Sequence, residues 1–170
     1  DVPLQGDLRH VLHQVMALVG PGRRGGGGER IERWRSDTVV RDVLNRPENG
    51  HLVAAQVIDA IYEGTGGEAI VVTDVGQHQM WAAQYYPLDA PHTLVTSGGL
   101  GTMGFGLPAA IGAQVARPDS EVWAIVGDGG FQMTLQELAT AVQERLPIRI
   151  AVCNNGYLGM VRQWQELFYE

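Results

Sequence analysis

The hydrophobic pattern of the chain changes period several times, and each change marks an element. Apolar residues fall at Leu8, Val11, Leu12, Val15, Leu18 and Val19, a helical stripe with Asp7 before it as a cap. Leu52, Ala55, Val57, Ile58 and Ile61 make a second stripe, closed by a glycine cluster over 64–67. Four short runs, at 68–73, 93–96, 121–126 and 148–153, are β-branched or otherwise apolar and read as buried strands. Helices are predicted between and after them, at 80–86, 107–115 and 130–146. The last of these carries Phe131, Leu135, Leu138, Val142 and Leu146 at helical spacing. A final helix over 157–167 would put Met160, Val161 and Trp164 on one face, which by itself reads equally well as a packing stripe. Strands alternating with helices predict an α/β fold, a mostly parallel sheet with helices on both faces.

Between the first two stripes the pattern fails. Residues 21–28 read Pro-Gly-Arg-Arg followed by four glycines, a flexible connector. Residues 29–49 are charged and weakly patterned, with Trp34 their largest apolar residue, and read as a partly ordered surface link. The organisation expected is a leading helix over 1–20, a linker over 21–50 and a domain over 51–170. His10 and His13 fall on solvated positions of the leading helix. The absence of an initiating Met, and a helical pattern still running at Tyr169-Glu170, suggest an excerpt of a longer polypeptide.

Composition narrows the function classes. The 170 residues suffice for one domain with a core. A net charge of −7 and the lack of a basic cluster argue against a nucleic-acid surface. There is no apolar run of membrane-spanning length and no signal-peptide pattern. The single cysteine, Cys153, sits in an apolar strand and reads as core rather than as nucleophile or ligand. The default is a soluble protein in a reducing compartment.

The chemistry concentrates at strand ends. Gly127-Asp128-Gly129 follows one predicted strand, Asn154-Asn155 the next, and 24 residues, 130 to 153, lie between. In a parallel sheet both fall at the carboxyl edge, where ligands bind. Asp128 offers an anionic oxygen and Asn155 an amide oxygen. The flanking glycines allow close backbone approach, and the amides opening the next helix favour an anion. Two such ligands are too few for Mg²⁺, which takes further oxygens from a phosphate. A metal bridging this turn to a diphosphate satisfies all of these features, although each dipeptide alone is also an ordinary turn. A competing signal is Gly99-Leu100-Gly101-Thr102-Met103-Gly104, which satisfies the dinucleotide-binding pattern, with Asp128 as an acidic residue 24 positions further on. That reading gives no role to the Asp128 turn or to Asn154-Asn155.

The spacing of GDG and NN is similar to the diphosphate-anchoring motif of thiamine-diphosphate enzymes. More narrowly, three stretches resemble the catalytic large subunit of the acetolactate synthase (acetohydroxyacid synthase) family. They are Asp74-Val75-Gly76-Gln77-His78-Gln79-Met80-Trp81, the glycine-rich segment 97–110, and Gly159-Met160-Val161-Arg162-Gln163-Trp164. The resemblance runs from about Leu52 to Glu170. It implies the diphosphate-binding domain of the thiamine-diphosphate-binding fold, truncated at its C-terminus and preceded by the last helix of a middle domain. It implies Mg²⁺ on Asp128, Asn155 and the Tyr157 carbonyl. It also implies cofactor contacts at Val75, Gly76, Gln77, His78, Gly101, Met103, Gly127, Gly129, Gly130, Met133, Met160 and Val161, with Trp164 shaping the substrate pocket. Met103 and Met133 could each equally be core filler. Gly130 departs from the pattern, because many members carry Ser there; the lost hydroxyl removes one hydrogen bond, worth about 1 kcal/mol.

The activity implied is condensation of pyruvate with a second 2-oxo acid, pyruvate or 2-oxobutanoate, with CO2 release, on the way to branched-chain amino acids. The glutamate that activates the cofactor in this family matches no residue here. It is expected from an N-terminal domain, so the segment alone is expected to be inactive. FAD, bound by a middle domain of the family, is expected only in the full-length enzyme. A homodimer or homotetramer, a small regulatory subunit and a bacterial cytoplasmic or eukaryotic organellar location are further implications; nucleic acid and membrane are not expected partners. Alternatives are another thiamine-diphosphate-dependent 2-oxo acid decarboxylase or oxidase, or a non-catalytic remnant that binds a dinucleotide or pairs with a subunit.

Overall fold

The computed structural model describes residue 3 and residues 5–19, 27–40 and 52–169. It divides into two compact units, Asp1–Asn45 and Arg46–Glu170. The first contains α1 (Leu8–Leu18) and α2 (Gly27–Val40). Asp7 caps α1 as anticipated, its Oδ1 accepting the His10 N–H at 3.1 Å. Val11 and Val15 are half-buried, whereas Leu8, Leu12, Met16 and Leu18 stay exposed, as do His10 and His13. Helix α2 occupies residues 29–40 of the partly ordered link expected over 29–49. Glu29, Arg30, Glu32 and Arg33 are good helix formers, so propensity makes a helix where no apolar stripe announced one. Arg30 also stacks on Trp34, its guanidinium 5.0 Å from the ring centroid. Residues 20–26 and 41–51, which hold most of the expected connector and the end of the link, lie outside the described residues.

The second unit is built on four parallel strands, β1 (Ile70–Thr73), β2 (Leu94–Thr96), β3 (Val122–Gly127) and β4 (Arg149–Cys153), in the order β2-β1-β3-β4. The helices are α3 (Ala54–Thr65), α4 (Gln77–Tyr85), α5 (Gly106–Ala116), α6 (Asp128–Met133), α7 (Leu138–Gln143) and α8 (Gly159–Phe168). Side-chain alternation along the strands makes two cores. Val71 and Ile125 pack on one face with Ile58, Ile61, Ala82 and Tyr86 from α3, α4 and the residue after it. Ile70, Val72, Val122, Ala124 and Val126 pack on the other with Ala110 of α5. Because both faces are covered, β1 is buried at all four positions, which is why it shows no polar alternation.

Two helices differ from the periodicity. The long helix expected over 130–146 is broken into α6, a single 3-10 turn (Leu135–Glu137) and α7. The break falls at Thr134, whose φ is −133° and whose Oγ1 donates to the Gly104 carbonyl at 3.2 Å. That contact holds Thr134 out of helical geometry and re-aims the following turn. Ala141 becomes buried, while Leu135 and Val142, two members of the predicted stripe, are exposed. Helix α4 starts at Gln77 rather than at 80, because Gly76, at φ +153°, turns the chain directly into it.

The strand order places the site. From β1 the chain crosses to β2 on one side, then returns over β1 through α5 to β3 on the other. The order therefore reverses between β1 and β3, and a crevice opens at their carboxyl ends.

Candidate functional site

That crevice is a cavity of about 430 Å³. One wall is the turn into α4, with Val75, Gly76, Gln77 and His78. A second is the β3–α6 turn, with Gly127, Asp128, Gly129 and Gly130. Gly101 and Met103 line it from the loop before α5, and Asn155, Tyr157, Met160, Val161 and Trp164 from the segment after β4. The registry of β3 and β4 brings Asp128 and the Asn154-Asn155 segment to the same level of the sheet edge. Gly127 lies beside Cys153, so the next residues of both strands emerge side by side at the sheet edge.

Every candidate residue named from the sequence lines this cavity except Met133, which is exposed and lies neither in the lining nor in the core. Met133 is the last residue of α6, directly before the break at Thr134. Trp81, Cys153, Leu158 and Gly159 line the cavity as well, though none of them is a site residue on the sequence reading. Trp81 follows His78 at i+3, the helical spacing that could have found it. Cys153 is half-buried and also packs against the core that contains Val71 and Ile125, in keeping with a core residue; burial pushes its thiol pKa up. Leu158 belongs to no periodic pattern.

His78 is the most constrained polar group. It is 6% exposed, and the Cε1–Nδ1 edge of its ring lies close to both Gly76 and Gly127. A Cβ on Gly76 would stand 2.8 Å from His78 Cε1, and one on Gly127 2.9 Å from the same atom. Glycine at 127 is therefore set by space alone, since its φ of −87° is open to any residue. The ring hydrogen-bonds the Asp74 backbone, and Nε2 is buried without a protein partner. Burial is the chief influence on its pKa and pulls it below 6.5; Asp74 and Asp128 oppose the shift. The imidazole is neutral at pH 7, with Nε2 buried and unpaired.

Gln77 and Asn155 are tied together. Asn155 Nδ2 donates to Gln77 Oε1 at 3.5 Å, and Gln77 Nε2 donates to Gln163 Oε1 on α8 at 3.2 Å. Asn155 Oδ1 accepts the Tyr157 N–H at 3.0 Å, which closes a tight turn and leaves that oxygen a second lone pair. Arg162 stacks on the Tyr157 ring at 4.2 Å and pairs with Glu166 at 2.6 Å, bracing the same turn against α8. Among the described residues no three His, Cys, Asp or Glu side chains cluster as metal ligands. A metal held by Asp128 would thus have to complete its shell from amide and backbone oxygens and from its own ligand.

The absent Ser at 130 has a steric counterpart. Gly130 is buried, and the Asp74 carboxylate fills the space in which its Cβ would stand. The dinucleotide alternative fails on topology. Its fingerprint joins two neighbouring strands through the helix, whereas the Gly99–Gly104 segment leads from β2 over β1 to β3, which is not its neighbour.

Comparison with known proteins agrees with this geometry. Residues 74–170 match the family described as thiamine pyrophosphate enzyme, C-terminal TPP binding domain. The chain is 49% identical to an acetolactate synthase of Mycobacterium leprae (strain TN), aligned over 100% of the chain and 28% of the relative. It is 44% identical to the acetolactate synthase isozyme 3 large subunit of Escherichia coli (strain K12), over 99% of the chain and 30% of the relative. A mitochondrial acetolactate synthase catalytic subunit of Saccharomyces cerevisiae is 45% identical over 99% of the chain and 25% of its own length. The chain thus spans under a third of the length of these relatives. With the fold, the edge site and a match over more than half its residues in agreement, the chain belongs to the thiamine pyrophosphate enzymes, whose C-terminal TPP-binding domain it carries.

Proposed function

We propose that the chain is the cofactor-anchoring part of an acetolactate synthase large subunit, an enzyme that condenses pyruvate with a second 2-oxo acid and releases CO2. The observation that carries this is the crevice between β1 and β3. There Asp128, Asn155 and His78, whose buried Nε2 has no protein partner, line one cavity. That donor set fits a magnesium-bound diphosphate: two hard oxygens for the cation, and polar groups from Gln77 and His78 for phosphate oxygens. The apolar lining of Met103, Met160, Val161 and Trp164 fits the rings of thiamine and a small 2-oxo acid.

In this reading Asp128, Asn155 and the Tyr157 carbonyl hold Mg²⁺, and Val75, Gly76, Gln77, His78, Gly127, Gly129 and Gly130 surround the diphosphate. Gly101 and Met103 support the rings, Met160 and Val161 border them, and Trp164 narrows the space for the acceptor. Met133 stands outside this set. When bound, thiamine diphosphate supplies a carbon nucleophile that stabilises the charge left by decarboxylation. The chain's own residues anchor, orient and exclude water; none of them is assigned proton transfer. The activating glutamate, the FAD site, a homodimer or homotetramer and a small regulatory subunit belong to the rest of the full-length enzyme. So do the bacterial cytoplasmic or organellar location and a place in branched-chain amino-acid synthesis. No described helix is long and apolar enough to cross a membrane.

The test is calorimetric titration of thiamine diphosphate into the complete protein with Mg²⁺ and then with EDTA, for wild type and Asp128→Ala. Metal-dependent binding that the substitution abolishes is expected. Binding indifferent to both metal and Asp128 would overturn the assignment. Product analysis with pyruvate separates acetolactate formation from decarboxylation or oxidation by a related enzyme.

A further inference from the structure

Three segments of the cavity wall converge on a side chain that has no role in the reading above. Asp74 follows β1 directly and is 1% exposed. Its Oδ1 accepts the Val75 N–H at 2.7 Å, at the turn into α4. Both its oxygens accept the Gly104 N–H, at 3.0 and 3.1 Å, thirty residues away in the loop before α5. The same carboxylate fills the Cβ space of Gly130 in the β3–α6 turn, and a Cβ on Gly106 would stand 2.8 Å from Asp74 Cβ. No salt bridge reaches it among the described residues, so its charge is met by backbone N–H groups alone. A buried carboxylate held in this way has almost no freedom to move, because any displacement strands a charge or an amide. The Gly104 peptide is gripped a second time, its carbonyl accepting Thr134 Oγ1 at 3.2 Å. The loop's other end is pinned by Ser97, whose Oγ accepts the Thr102 N–H at 3.0 Å.

We infer that Asp74 is a positioning residue that sets the separation between the loop carrying Gly101 and Met103 and the turn carrying Asp128, with Thr134 as its second anchor. This rests on the reading that the crevice takes thiamine diphosphate. A ligand that spans both segments depends on that separation. A ligand that occupies only the Asp128–Asn155 end does not. Asp74→Asn keeps the volume but turns one acceptor oxygen into a donor facing the Gly104 N–H. Thr134→Val keeps the shape and removes only the hydroxyl.

The test uses the complete protein with Mg²⁺, titrated separately with thiamine diphosphate and with inorganic pyrophosphate, alongside thermal unfolding of each variant. Asp74→Asn is expected to weaken thiamine diphosphate by about tenfold or more and Thr134→Val by about threefold or more, with pyrophosphate changed by less than about threefold in both. Thiamine diphosphate binding by Asp74→Asn within threefold of wild type would overturn the inference. So would equal weakening of both ligands, which is what a merely structural role gives. Should Asp74→Asn not fold, Thr134→Val decides, and wild-type affinity in that variant overturns the proposal. A wild type that binds pyrophosphate but not thiamine diphosphate would instead bring down the cofactor reading itself, and this inference with it.

Discussion

Replacing Gly127 by Ala adds one methyl group at a backbone position that accepts any residue, φ −87°, so its effect isolates packing. The new Cβ would lie 2.9 Å from His78 Cε1 and 3.0 Å from Nδ1. Ordinary contacts begin at 3.4 Å, so the overlap is 3.4 − 2.9 = 0.5 Å at the closer atom. The ring is buried, lies against Gly76 as well, and is oriented by its hydrogen bond to the Asp74 backbone. Overpacking of this size in a rigid site costs about 1–3 kcal/mol. Urea unfolding of the chain, followed by tryptophan fluorescence, measures it directly. The decisive comparison repeats the substitution in a His78→Ala background, where the obstacle is gone. There the added methyl should cost less than about 0.5 kcal/mol, so that the two substitutions are strongly coupled. Equal cost in both backgrounds would refute the role of this contact and leave Gly127 explained by something other than the imidazole.

Three further outcomes follow from the same geometry. Burial holds the native His78 pKa below 6.5, so the unfolded chain binds a proton near pH 6.5 that the native chain refuses. Stability from this group is therefore complete above pH 6.5 and is lost as pH falls from there through the depressed native value. His78→Asn should flatten that part of a urea-midpoint profile run from about pH 5 to pH 8. Leu107, 1% exposed in the first turn of α5, should cost about 2–5 kcal/mol on truncation to Ala, read by the same unfolding assay. Gly130→Ser should destabilise the chain by more in the wild type than in an Asp74→Gly background, because the two positions compete for one volume; additive effects would show that the Asp74 carboxylate moves aside freely.

The sequence by itself determined the alternation of strands and helices, and with it the parallel sheet. Runs such as 70–73 and 122–126 are apolar at nearly every position because both faces of the sheet are covered, and that pattern is local. It also placed Asp128 and Asn155 at strand ends, since each follows its strand in the chain. Other features had no local signal. Helix α2 has no apolar stripe to announce it. The interruption at Thr134 depends on a carbonyl thirty residues away. Whether the Gly99–Gly104 segment was a dinucleotide fingerprint depended on β3 lying beside β1 rather than beside β2, which spacing along the chain does not encode. The reason glycine stands at 127 and 130 likewise appears only when His78 and Asp74, each more than 40 positions away in sequence, are brought against them. Periodicity reports what each residue faces; only the packed structure decides which distant residue occupies the space it leaves.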